Sequence, residues 1–158
     1  MDVASSLDAK KRTPAYDRLV VRLMLAASGV LTETAQAPYI QRLDRLIADA
    51  RVAVDKGKPE THPGETLMTF LHAGVMHGGY ELGQSSFASV FDTGIYNCVS
   101  STAMYYVIGR ELNLEMQIIS IPGSFFLSGH ACINLVDRDR TYEVEPTNPD
   151  GFDWGTKL

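Results

Sequence analysis

The sequence predicts a single α+β domain spanning 1–158, and three observations carry that expectation. Apolar residues recur at helical spacing through the first third of the chain and again after Cys98. Beyond Asn113 the pattern changes to short β-branched and aromatic runs bounded by Gly, Pro and Asp. With 158 residues and 45% hydrophobic content the chain can hold one core. A chain of that size buries roughly 68–70% of its unfolded surface. A helical part over 16–78 is expected to pack with a central helix bearing Cys98 against a small antiparallel sheet.

Residues 1–15 are polar, with a small basic cluster Lys10-Lys11-Arg12, and read as a frayed terminus. A helix is expected over 16–31, with Leu19, Val20, Leu23, Met24, Ala27 and Val30 at helical spacing. The apolar run 23–31 followed by Ala35-Gln36-Ala37 also has the form of a secretory leader. Asp17 and Arg22 interrupt it, so a cytoplasmic location is preferred over export. No stretch supplies the ~20 apolar residues of a membrane-spanning helix.

Pro38 is expected to start a second helix over 39–54, with Ile40, Leu43, Leu46, Ile47 and Ala50 on one side. Residues 56–64, rich in Lys, Gly and Pro, read as a linker. A third helix follows over 65–75, through Leu67, Met68, Leu71 and Val75, and Gly78-Gly79 breaks it. Residues 80–91 are less regular, and Tyr80, Phe87 and Phe91 are expected to line one wall of a cleft. Residues 116–121 are apolar and β-branched enough for a central strand. The Gly/Ser/Phe segment 123–129 is either a flap presenting Phe125 and Phe126 or a wide loop whose phenylalanines dock into the core. Asn148-Pro149-Asp150-Gly151 reads as a turn, after which Phe152 and Trp154 close against the preceding strands.

A net charge of −5 argues against a nucleic-acid partner and against a polybasic membrane surface. Two cysteines make no disulfide framework. His72 and His77 are spaced five apart, which does not place both on one helix face, and no zinc motif is present. No metal or cofactor is therefore expected. His72 reads as a packing residue and His62 as a loop residue.

The chemistry-bearing stretch is Gly94-Ile95-Tyr96-Asn97-Cys98-Val99-Ser100. A loop ends at Cys98, helical spacing follows through Val99, Ala103, Tyr106, Val107 and Ile108, and Asn113 is suited to a left-handed stop. A thiol in the first turn of a helix meets unpaired N–H groups and the positive dipole end, which favour thiolate. Two strands then carry His130 and Glu145 across the polar turn 137–140. If Val136 and Thr141 flank that turn, Cys132 lies opposite Glu145. His130 and Glu145 then become diagonal neighbours on one face. A carboxylate holding an imidazole, beside a thiol at a helix start, is what a cysteine nucleophile needs. The Cys98 N–H is a natural first donor to an oxyanion, and the second is the side chain of Asn97 or Gln84 or another backbone group. Asn97 reads more readily as a local turn residue.

The order cysteine, histidine, acid on helix start, strand and next strand resembles the transglutaminase-like superfamily, relatives of papain-like cysteine peptidases. Bacterial members carry Gly-x-x-Asn-Cys-x-Ser ahead of a helix. A strand with Pro-Gly-His or Gly-His-Ala follows, then a strand ending Glu-Thr-Thr or Asp-Pro-Thr. The counterparts here are Gly94 to Ser100, Gly129-His130-Ala131 and Glu145-Pro146-Thr147. The likeness is strongest over 67–152 and weaker over 39–50. The acid is Glu where the superfamily more often has Asp, and 124–129 separates Pro122-Gly123 from His130. The resemblance implies a papain-like fold with a catalytic core over 90–154 and Cys98, His130 and Glu145 as catalytic residues. Glu143 is the alternative acid. It also implies acyl transfer from an amide or ester, with a peptide or protein as substrate. Hydrolysis is preferred over transamidation, because no amine-acceptor site is marked. The alternatives are a catalytically silent module binding peptides or a partner domain, and acyl transfer from a thioester. The chain simply stops after Leu158, so further domains are allowed for in the natural protein.

Overall fold

A computed structural model of the chain describes residues 14–124 and 129–156, with side chains from residue 18 onward. The basic cluster Lys10-Lys11-Arg12 and the expected flap phenylalanines Phe125 and Phe126 lie outside the described residues. In chain order the elements are α1 (Pro14–Ala27), α2 (Glu33–Asp55), α3 (Pro63–Ala73), β1 (Gly79–Tyr80), α4 (Phe87–Thr93) and β2 (Ile95–Tyr96). There follow α5 (Cys98–Glu111), β3 (Glu115–Ile121), β4 (His130–Asp137), β5 (Arg140–Val144) and a 3-10 turn at Trp154–Thr156. The chain is thus a mixed α+β structure, with five helices and two small sheets among the described residues.

Three helices differ from the sequence expectation at their starts or ends. α1 stops at Ala27, where Gly29 takes φ 87° and turns the chain. α2 begins well before Pro38, because Thr32 caps it through Oγ1, which accepts from the Ala35 N–H at 3.2 Å. Buried Gln36 then pins the first turn by donating from Nε2 to the Val30 and Arg22 carbonyls. A turn held from outside can absorb the internal bond that Pro38 removes. α3 is capped by His62, whose Nδ1 accepts from the Gly64 N–H at 3.0 Å, with Pro63 at the first helical position. His62 is therefore a helix cap rather than a plain loop residue.

Residues 80–91 hide a short helix. Ser86 Oγ accepts from the Ser89 N–H to start α4, and Gly94 ends it in the left-handed region at φ 73°. A Cβ at Gly94 would lie 2.8 Å from the Gly78 nitrogen and from the His77 ring, so the site excludes any larger residue on two counts. Phe87 and Phe91 are buried in the core and pack edge to face, instead of lining a cleft. Tyr80 is exposed. Arg42 on α2 forks onto Asp92 and the Phe91 carbonyl, and Tyr39 donates to Asp92, so α2 holds the end of α4 in place.

The larger sheet has the order β3-β4-β5, antiparallel throughout. The strand expected to be central, β3, is at an edge, and β4 is the middle strand. Only Met116 among the residues of β3 is buried. β-branched content favours a pleated surface without saying how many neighbours the strand has. The β4–β5 ladder pairs Ile133 with Val144, Val136 with Thr141 and Asp137 with Arg140. The turn is therefore just Arg138-Asp139, with Arg138 at φ 53°. Asn113 takes φ 63° and closes α5.

α5 lies on the face of the sheet carrying Met116, Ile133, Leu135 and Val144. Met104, Tyr105 and Ile108 of α5 join Leu67, Met68 and Leu71 of α3 and Leu43, Ile47 and Ala50 of α2 to complete the core. Tyr105 is fully buried, and its hydroxyl donates to the Gly64 carbonyl at 2.9 Å. Phe152 bridges back to Val144 and stacks on Tyr142 and His62. No helix among the described residues is long and apolar enough to cross a membrane.

Candidate active site

Cys98 opens α5 because Asn97 ends the preceding extended segment in a capping conformation. Asn97 Oδ1 accepts from the N–H groups of Val99 (2.9 Å) and Ser100 (3.2 Å), and Ser100 Oγ accepts from the Asn97 N–H at 3.0 Å. Asn97 Nδ2 donates to the Leu82 carbonyl at 2.9 Å. The amide is thus used on both sides, and Asn97 is a cap rather than an oxyanion donor. The Cys98 N–H has no protein acceptor among the described residues. Gln84 is close by in the fold. Its carbonyl accepts from Ser100 Oγ at 2.8 Å, while its Oε1 accepts from the Ser86 N–H at 3.3 Å.

His130 is the first residue of β4, and Glu145 follows directly on β5. The β4–β5 ladder ends at Ile133–Val144, and just beyond it the two side chains meet, with His130 Nε2 2.5 Å from Glu145 Oε2. The other carboxylate oxygen of Glu145 accepts from the Thr147 N–H at 3.2 Å and Thr147 Oγ1 at 2.6 Å. A carboxylate only accepts, so Nε2 carries the proton and Nδ1 is the basic nitrogen. Glu143 is set aside as the alternative acid, since its carboxylate lies against Gly155.

The loop beyond Glu145 is fastened to the segment that leads into Cys98. His72 donates from Nε2 to the Pro146 carbonyl at 3.1 Å. The Tyr96 hydroxyl lies 3.3 Å from the Thr147 carbonyl and 3.4 Å from His72 Nδ1. Burial lowers the His72 pKa from its ordinary value and raises that of Tyr96, which keeps both neutral for these bonds. One turn along α5 from Cys98, Thr102 donates to the Ala131 carbonyl next to His130 at 3.1 Å. His72 is a bonded packing residue.

Cys98 itself is 8% exposed, and no hydrogen bond from a described residue reaches its sulfur. Cys132 is the other free thiol, on the His130 face of β4. Burial first, then the carboxylates of Glu145 and Glu143, pushes its pKa up, which disfavours it as the reactive sulfur. No group of three or more His, Cys, Asp or Glu among the described residues is placed to hold a metal ion.

Fold and site together define an α+β protein in which a hydrogen-bonded His–Glu pair and a capped helix starting in cysteine are tied to one scaffold. No family model matches the chain, and no curated protein sequence does. Among solved structures it is similar to a crystal structure of a TGase, with a TM-score of 0.47 and 11% identity over 92% of this chain. The match covers 36% of that chain, so this chain spans about a third of its length.

Proposed function

We propose that the chain is a cysteine-nucleophile acyl-transfer enzyme acting on peptide, isopeptide or other amide bonds. Cys98 sulfur attacks the carbonyl carbon, and His130 Nδ1 takes the thiol proton. The tetrahedral oxyanion collapses as the C–N bond breaks, and the same proton goes to the leaving amine. Water then attacks the acyl-thioester and releases the carboxylic acid and the thiol, so the products are those of hydrolysis. Glu145 fixes the ring with Nδ1 free and stabilises the imidazolium. The Cys98 N–H and the Gln84 side-chain amide serve as oxyanion donors, Asn97 being occupied as the cap. The observation that carries this reading is the His130–Glu145 bond at 2.5 Å, with Glu145 itself fixed by Thr147.

A second reading, a silent module binding peptides at the same place, is favoured by the burial of Cys98 and the lack of a hydrogen bond to its sulfur. Alkylation by iodoacetamide as a function of pH separates the two. Rapid labelling of Cys98 at about pH 6 that is lost in His130→Ala supports the enzyme. Labelling that is slow there and rises only towards the ~8.5 of an ordinary thiol refutes it.

A further inference from the structure

β3 has one partner strand among the described residues, and its outer row of main-chain N–H and C=O groups faces away from β4. The edge is long and open: Ile118 is 49% and Ile121 53% exposed, and only Met116 is buried. Protein sheets usually protect such an edge with lysine, proline or a bulge. β3 has none of these in its ladder, and its single charge is Glu115 at one end. The opposite end finishes level with the site, because Ile121 pairs with His130 and Ile119 with Cys132. Side chains alternate across the sheet, so Ile119 and Ile121 share the face of His130, while Ile118 projects from the other.

We propose that β3 is the docking edge for the polypeptide substrate, which adds to it as an extended strand. This rests on the acyl-transfer reading above, and it names the substrate class as unfolded or loop polypeptide. Main-chain hydrogen bonds supply affinity in this mode, and alternate side chains supply selectivity. Apolar or β-branched residues over Ile118 and Ile121 are therefore preferred. A strand laid along β3 passes Ile121, the ladder partner of His130, and so ends at the same end of the sheet as the site, with β3 between it and His130. Small amides, with no strand to add, are poor substrates.

The test compares iodoacetamide with a pool of randomised acetyl-hexapeptidyl chloromethyl ketones as labels for Cys98. Two further pools are N-methylated at odd or at even backbone positions. The fixed warhead sets the register, and only alternate N–H groups of a strand point at its partner. One methylated pool is expected to label about tenfold or more slowly and the other at the parent rate, with iodoacetamide labelling unchanged. Ile118→Lys, on the face away from His130, is expected to slow the parent pool and spare iodoacetamide. Equal labelling by all three pools overturns the docking edge. Should iodoacetamide show Cys98 to behave as an ordinary thiol, the enzyme reading fails. The edge is then judged by fluorescence anisotropy of the same pools without the warhead. Loss of binding in one methylation frame supports the edge, and equal binding refutes it.

Discussion

Removing the Asn97 side chain tests how the fold positions Cys98. In Asn97→Ala the N–H groups of Val99 and Ser100 lose their acceptor, and the Leu82 carbonyl loses its donor. Loss of an N-cap costs about 1–2 kcal/mol. The Leu82 bond adds about 1 kcal/mol, for a total near ~2–3 kcal/mol. With a urea slope of about 1–3 kcal/mol per molar, the unfolding midpoint falls by roughly 0.7–3 M. Asn97→Asp keeps the acceptor for both N–H groups but sets a carboxylate oxygen against the Leu82 carbonyl where Nδ2 donated. It is expected to lose about 1–3 kcal/mol. The new carboxylate beside Cys98 opposes a thiolate, so iodoacetamide labelling at about pH 6 slows although the fold is intact. An unfolding free energy for Asn97→Ala within ~0.5 kcal/mol of the parent would refute the cap. In that case a kinetic role for the amide would return.

Burial lowers the pKa values of His62 and His72 from 6.5, so the unfolded chain binds more protons than the folded one below that value. Their contribution to stability is complete above pH 6.5 and lost as pH falls through the lowered values. Urea midpoints at pH 7.5 and pH 5 are expected to show the decline, and His72→Gln to reduce it. Gly94→Ala forces a side chain into the left-handed region against the Gly78 nitrogen and His77, and at least ~1–2 kcal/mol of destabilisation is expected by urea unfolding. Arg138→Gly frees the β4–β5 turn from its positive φ, and a gain of about 0.5–1 kcal/mol is expected in the same assay.

The hairpin carrying His130 and Glu145 was readable because the polar turn 137–140 centres the pairing, and the observed two-residue turn Arg138-Asp139 keeps the same parity for every pair beyond it. A shift of one residue would have sent Ile133 and Leu135 to the opposite face. The start of α5 was readable too, from the loop at Gly94 and the helical spacing after Cys98, although Asn97 read as a turn residue and not as the cap it forms with Ser100. α4 was missed although Ser86 as a cap, Phe87 and Phe91 four apart, and Gly94 as a stop were all present. Seven residues give too short a period to stand out. The continuation of α2 through Pro38 depends on Gln36 reaching the carbonyls of α1 and the turn after it, a contact between segments that no local pattern records. The edge position of β3 is likewise a matter of topology, invisible in its own residues.

The clasp between Tyr96, His72 and the loop after Glu145 gives the β4–β5 hairpin two unlike ends. At the distal end Asp137 is paired with His62 and Arg140 with Asp153, so only Arg138-Asp139 between them can be lengthened or grafted without loosening a side-chain tie. At the other end, inserting a single residue between Glu145 and Thr147 would undo the carboxylate's grip on its own loop and slide the Pro146 and Thr147 carbonyls off their anchors. New sequence is tolerated at the distal tip, while the length of the proximal loop is fixed.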